Sequence, residues 1–188
     1  MSDILIVGVG GQGTLLASRV LGNVALSLGY DVKLSEVHGM AQRGGSVVTH
    51  VRFGEKVYAP VVDEAGADMI LAFEKLEALR WCGRLKKNGS MFISTQQILP
   101  MPAITGAAQY PNDIEERIKA KVPGAVFVDA LGMAEKAGSK KALNIVLIGV
   151  LARHMDIDKQ AFLDAIKATV PAKTLDVNLT AFELGYNA

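Results

Sequence analysis

The sequence has one cysteine, Cys82, in 188 residues. A lone thiol forms no internal disulfide and cannot hold an iron–sulfur cluster, which takes several thiolates. It reads as a reduced cysteine in a cytoplasmic protein. No charge of either sign dominates: Lys+Arg 20 against Asp+Glu 19 leaves a formal +1. Without a basic block there is no electrostatic footprint for nucleic acid. No apolar run approaches the ~20 residues that a membrane span needs. The opening "MSDILIVGVGGQG" has Asp3 where a signal peptide wants positive charge, and its apolar stretch stops at glycines. Internal repeats, low-complexity tracts and domain linkers are also lacking. These absences leave one domain, 1–188, long enough for a real core.

What is present is an alternation of buried strands and helices. "DILIVGV" is a short, nearly continuous apolar run, as expected of a strand covered on both faces of a parallel sheet. In the next segment Leu16, Val20, Val24 and Leu28 recur every four residues, the spacing of one helix face, and "DVKLSEV" reads as a second strand. Further on, "ADMILAFE", "SMFISTQ" and "GAVFVDA" read as strands, while "KLEALRWCGRLKKNG", "NDIEERIKAKV", "LGMAEKAG", "KALNIVLIGVLARHM" and "DKQAFLDAIKATV" read as helices. "SVVTHVRFGEKVYAP" alternates around Gly54-Glu55 and is expected to be a hairpin. Residues 96–111, with three prolines, read as loop, and the tail ending "LTAFELGYNA" has no assigned element. The expectation is an α/β fold: a three-layer, Rossmann-like domain with a mostly parallel sheet and an inserted β-hairpin.

Gly8, Gly10 and Gly13 satisfy G-x-G-x-x-G between a predicted strand and a predicted helix. The first glycine is expected to make the turn, the second to admit a pyrophosphate, and the third to allow close helix packing. Free N–H groups at the helix start favour an anion. Gly11 bares the turn further and Gln12 is expected to add an amide donor. A turn used only for packing is the alternative. An ordinary NAD site fits poorly, although Glu36 stands where a ribose-binding acid would. The chain has no room for a substrate domain, and His38, His50 and His154 have no evident acid–base partner in sequence.

The other unusual stretch is "SEVHGMAQRGGSVVTHVRFG", residues 35–54, which sets Glu36, His38 and Arg43 among glycines. Together with "GVGGQGTLLASRVLGNVALSLGYDVKL", "ADMILAFEKLEALR" and "KALNIVLIGVLAR", it resembles the gamma-type domain of 2-oxoacid:ferredoxin oxidoreductases. "SEVHGMAQRGGSV" is most similar to the small beta subunit of the indolepyruvate enzymes. That resemblance covers most of the chain. It implies an accessory subunit, inactive alone, in CoA-dependent oxidative decarboxylation of an arylpyruvate such as indolepyruvate, with ferredoxin as electron acceptor. It further implies that thiamine diphosphate with Mg and the [4Fe-4S] clusters sit in a large partner subunit, that ferredoxin is met through the complex, and that coenzyme A is the co-substrate. No cofactor or metal is then held by this chain alone.

Under this resemblance the loop 36–45 faces the partner and the active-site cavity. Arg43 would clamp a carboxylate or phosphate through two parallel hydrogen bonds. Glu36 would orient Arg43 or bind a ribose or amine, and His38 would transfer a proton near neutral pH. Gly8, Gly10, Gly11, Gln12 and Gly13 would form the ligand turn, and Gly44 and Gly45 would let another backbone come close. The alternatives are an interface stiffened by a Glu36–Arg43 ion pair, or a solvated loop. Other family roles remain open: the gamma subunit of a pyruvate, branched 2-oxoacid or 2-oxoglutarate enzyme, or a stand-alone nucleotide-binding module. A separated subunit should expose an apolar patch or cover it by self-association. His50 is expected to be a surface or packing residue and His154 a helix end. Asn144 should satisfy a buried backbone group, with a contribution at the ligand cleft as the alternative.

Overall fold

The structure, a computed structural model, describes residues 1–39, 41 and 44–188. Six strands form one sheet: β1 (Ser2–Val9), β2 (Asp31–His38), β3 (Ser46–Gly54), β4 (Ala67–Ala72), β5 (Leu85–Ser94) and β6 (Val126–Val128). Their order is β2-β3-β1-β4-β5-β6, with β3 antiparallel to both neighbours and β1, β4, β5 and β6 mutually parallel. The helices are α1 (Thr14–Ser27), α2 (Lys75–Trp81), α3 (Met101–Ile104), α4 (Ile114–Lys121), α5 (Ala130–Lys136), α6 (Leu143–Arg153), α7 (Lys159–Thr169) and α8 (Leu175–Tyr186).

Alternation along β1 divides the core. Ile4 and Ile6 face a layer built by α1 and α5 to α8, while Leu5 and Val7 face α2 and α4 on the other side. Both faces of the sheet are covered, which is why its central strands are apolar without interruption. The expected three-layer α/β fold is therefore the one observed.

The hairpin is present but its position differs from the sequence reading. Residues 46–54 are a single strand, and the antiparallel arms are β2 and β3, joined by the 39–45 loop. β1 and β2 run in the same direction, as a crossover through α1 requires, yet β3 lies between them. The loop that looked like an isolated motif is thus the hairpin's own connection, at the carboxyl end of β1. Met40, Gln42 and Arg43 lie outside the described residues.

The tail also differs. It forms α8, which lies against α6 so closely that a Cβ on Gly185 would stand 1.9 Å from the Val146 carbonyl oxygen. One on Gly149 would stand 2.2 Å from the Phe182 carbonyl oxygen. The 96–111 segment contains the short α3.

Candidate functional site

The carboxyl ends of β1, β4 and β5 meet at the glycine turn, where a parallel α/β sheet usually leaves its crevice. β1 runs to Val9 and α1 begins at Thr14 with Gly13 as its N-cap, at φ 85°. Gly11 also has positive φ, 101°, so the chain reverses through backbone that L side chains seldom adopt. Ala17 N–H donates to the Gly13 carbonyl, closing the first helical turn. Among the described residues, no backbone acceptor takes the N–H groups of Gly13, Thr14 or Leu15. They form the positive end of a fourteen-residue helix.

One expected role in the turn is corrected. Gly8 lies inside β1, paired with Val47, and its missing side chain makes room for Gln12 and Phe73. Gln12, which lines the second cleft described below, has its amide engaged within the chain. Its Nε2 donates to the Phe73 carbonyl at 2.9 Å and to Gln96 Oε1 at 2.8 Å, so both amide hydrogens are taken. Its Oε1 accepts from Val9 N–H at 2.7 Å. Gln12 therefore ties the ends of β1, β4 and β5 together.

Gly10, by contrast, is joined to the 39–45 loop. Its N–H donates to the Gly45 carbonyl at 2.8 Å, and Gly44 N–H donates back to the Gly10 carbonyl at 3.3 Å. A Cβ at Gly45 would meet the Ala41 carbonyl oxygen of the same loop, and one at Gly44 would meet no atom within 4 Å. The two motifs singled out in sequence form one continuous edge.

On one side of this edge lies a cleft of about 400 Å³, lined by Gly10, Gly11, Gly13, Thr14, Leu15, Glu36, His38 and Val47. Glu36 Oε2 accepts from Thr14 Oγ1 at 3.1 Å and from Thr49 Oγ1 at 2.9 Å, which fastens the end of β2 to α1 and β3. His38 is exposed, with Nδ1 3.0 Å from the Gly39 carbonyl. Glu36, His38, Gly10, Gly11 and Gly13 are thus brought together; the Arg43 clamp lies outside the described residues. In a plain dinucleotide fold the acid stands on the strand next to β1. Here β3 intervenes, moving Glu36 about one strand spacing, ~4.8 Å, further out.

On the other side of the turn is a second cleft of about 550 Å³, lined by Gly11, Gln12, Gly13, Leu16, Gln96, Leu131, Lys140, Lys141, Leu143 and Asn144. Asn144 Nδ2 donates to the Gly13 carbonyl at 3.2 Å and its Oδ1 accepts from Ile145 N–H at 2.9 Å, the backbone-satisfying role expected of it. A Cβ on Gly13 would lie 2.5 Å from Asn144 Nδ2, so the third glycine serves this contact.

Sequence reasoning missed a third group behind the loop. Glu74 and Glu77 are both buried. Glu74 accepts from Tyr110 Oη at 2.6 Å, Ile98 N–H at 3.2 Å and Glu77 N–H at 2.9 Å. Glu77 accepts from Ser46 Oγ at 2.5 Å and pairs with Arg80. Burial and the adjacent Glu74 push the Tyr110 phenol well above its ordinary value, so it remains a donor. An acid at a strand–helix junction suggests a helix start in sequence; its burial is not visible there. His50 is buried, with Nδ1 accepting from Val62 N–H at 3.1 Å, and His154 follows α6 with Nδ1 2.9 Å from the Val150 carbonyl. No group of three or more His, Cys, Asp or Glu among the described residues is placed to hold a metal ion. No helix among them is long and apolar enough to cross a membrane.

Fold and clefts define a three-layer α/β domain with a helix N-terminus open at a glycine turn, bound to a second glycine loop. The chain belongs to the pyruvate ferredoxin/flavodoxin oxidoreductase family, whose model matches residues 3–188. It is 45% identical to the indolepyruvate oxidoreductase subunit IorB of Thermococcus kodakarensis, over 99% of this chain and 95% of that one. Pyruvate oxidoreductase subunit PORC of Thermotoga maritima has the same fold, with TM-score 0.74 and 21% identity over 99% of this chain and 95% of that chain. The fold also recurs in 2-oxoglutarate:ferredoxin oxidoreductase from Magnetococcus marinus, with TM-score 0.69 and 15% identity. That match takes in 99% of this chain but only 30% of that one. The chain is accordingly a small subunit of a 2-oxoacid:ferredoxin oxidoreductase.

Proposed function

We propose that this subunit serves an enzyme that oxidatively decarboxylates an arylpyruvate, indolepyruvate in the first instance. The observation that carries this reading is the 45% identity, over 99% of the chain, to a protein named as an indolepyruvate oxidoreductase subunit. The reaction joins the acyl carbon of the 2-oxoacid to the sulfur of coenzyme A and releases the carboxyl group as carbon dioxide. The electron pair left by decarboxylation passes, through the complex, to ferredoxin.

The large partner would carry thiamine diphosphate with magnesium and the [4Fe-4S] clusters, which supply the electron sink and the outlet for electrons. This chain does not fit the clusters: its one thiol, Cys82, is buried and donates to the Leu79 carbonyl at 3.2 Å. Its own contribution is to close the site and to hold coenzyme A. The N–H groups of Gly13, Thr14 and Leu15 suit a phosphate. Lys140 and Lys141 lie in the cleft on the other side of the turn. Glu36 and His38 line the first cleft and suit hydroxyl or amine groups of the same ligand. Arg43 is the clamp for a carboxylate or phosphate where the loop meets the partner.

The test is an anaerobic pull-down of the tagged chain from cytosol that expresses it, with the eluate assayed for indolepyruvate- and coenzyme-A-dependent dye reduction. A large partner with that activity is the expected result. Activity with another 2-oxoacid would overturn the substrate and keep the subunit role. A solitary chain that binds a dinucleotide tightly would overturn the assignment to an arylpyruvate complex.

A further inference from the structure

Residues 96–112 contain no Asp, Glu, Lys or Arg, in a chain of which 21% is charged. Large apolar side chains of this stretch are nonetheless at the surface: Leu99, Met101 and Ile104 are 46%, 64% and 61% exposed. The segment does not stray freely. The buried Glu74 carboxylate holds it at both ends, through Ile98 N–H and Tyr110 Oη. Lys75 N–H adds a bond to the Gln96 carbonyl, and Ala108 N–H donates across the excursion to the Pro102 carbonyl at 3.0 Å. Its ends are therefore close and its interior braced, which describes a compact surface loop rather than a floppy connection. Among the described residues every hydrogen-bond donor to Glu74 is neutral, so sinking this carboxylate to 1% exposure is costly, and what it secures here is the presentation of three apolar side chains.

We infer that this strap, residues 98–110, is the docking element by which the chain seats on its large subunit, with Leu99, Met101 and Ile104 entering an apolar surface of that partner. This inference rests on the subunit reading above. Three observations select the occupant. The strap borders the glycine edge: Met101 and Pro102 face Gly44 and Gly45 across a gap of about 240 Å³, so a partner seated on it also closes over the candidate site. The same fold occupies 30% of a much longer chain in the Magnetococcus oxidoreductase, so there the domain is joined to further polypeptide. Finally, Met, Leu and Ile without charge are the composition of an interface centre rather than of a free loop.

The test compares co-purification of the large subunit with three forms of the tagged chain. One carries Leu99→Glu, Met101→Glu and Ile104→Glu together. A control carries Leu26→Glu and Leu28→Glu, which are also exposed but sit at the opposite end of the sheet. The third is the natural chain. All changes are on exposed side chains, and circular dichroism with a thermal melt checks that each form folds. The expected result is at least tenfold weaker capture by the strap variant and unchanged capture by the control. Equal capture by strap variant and natural chain would overturn the inference, as would equal loss in both variants. Failure of the natural chain to capture a large subunit would sink the subunit reading instead. If the isolated chain dimerises and only the strap variant abolishes the dimer, while capture is unaffected, the occupant is a second copy and the inference is wrong.

Discussion

Gly10 and Gly45 face each other at the end of β1, the N–H of one donating to the carbonyl of the other at 2.8 Å. This bond extends the β1–β3 ladder one step beyond Val9 and Ser46, the last paired residues of the two strands. It makes the glycine turn and the 39–45 loop one mechanical unit. A ligand that moves the turn must move the loop, and a partner that grips the loop reaches the turn.

Gly45 is the vulnerable half of that pair. A Cβ there would stand 2.4 Å from the Ala41 carbonyl oxygen, a backbone atom that cannot swing aside like a side chain. Gly45→Ala should cost about 1–3 kcal/mol, the usual toll of overpacking. Urea unfolding of the isolated chain measures this. In the assembled enzyme the same change should raise the KM for coenzyme A, because the loop is pushed off the turn. An unchanged unfolding midpoint would show that the loop gives way freely.

How much of this was legible differs from residue to residue. The strands at 3–9, 67–72 and 90–94 were visible because a sheet covered on both faces demands unbroken apolar runs. The hairpin was placed too late because its turn is a seven-residue loop rich in unusual residues, while Gly54-Glu55 imitates a tight turn and only ends β3. Helix α8 was missed because Gly, Asn and Thr dilute its pattern; it is held by the α6 contact, a tertiary effect that local propensity does not record. At the site, Glu36, His38 and the glycines were found by residue type and spacing. Glu74, Glu77 and the bridging role of Gln12 were not, since each depends on partners more than twenty residues away.

Among the described residues the Glu36 carboxylate rests on two hydroxyls, and Thr49 is the deeper one at 1% exposure. Thr49→Val keeps the β-branched shape but removes the donor. It should destabilise the chain by about 1.5–3 kcal/mol, the worth of one such bond to a carboxylate. Freed on that side, Glu36 should also line its cleft less firmly. A several-fold rise in KM for coenzyme A with little change in kcat is the expected kinetic signature. Unaltered kinetics together with lost stability would make Glu36 a fastening of β2 alone.

His50 supplies a pH dependence. Burial holds its imidazole below the ordinary 6.5, and the guanidiniums of Arg84 and Arg52 add repulsion against a charged ring. Its Nδ1 already accepts from Val62 N–H, which a proton there would break. The unfolded chain therefore takes up this proton more readily than the folded one. The stabilisation is complete above about pH 6.5 and is lost as pH falls through the lower folded value. Between pH 7.5 and 5, His50→Gln should show a flatter stability profile, the difference in slope being at most one proton, about 1.4 kcal/mol per pH unit. Parallel profiles for the two proteins would remove His50 from the account.

The tail helix bears on the site from a distance. Gly185 lets α8 approach the Val146 carbonyl on α6, and α6 also carries Asn144, whose amide holds the Gly13 carbonyl. Gly185→Ala would place a methyl group 1.9 Å from that carbonyl oxygen, so the helices must separate. The cost should be about 3 kcal/mol, at the upper end of ordinary overpacking. In a chain of this size that corresponds to a melting temperature lower by about 6–12 °C. Separation would also draw Asn144 away from the glycine turn. The variant should therefore lose affinity for coenzyme A in the assembled enzyme even though residue 185 touches neither cleft. Gly149→Ala, which meets the Phe182 carbonyl at the same crossing, should reproduce both effects. Asn144→Ala should weaken coenzyme A binding without the same loss of helix packing. If Gly185→Ala lowered the melting temperature while binding stayed intact, α6 would be shown to yield without disturbing the turn.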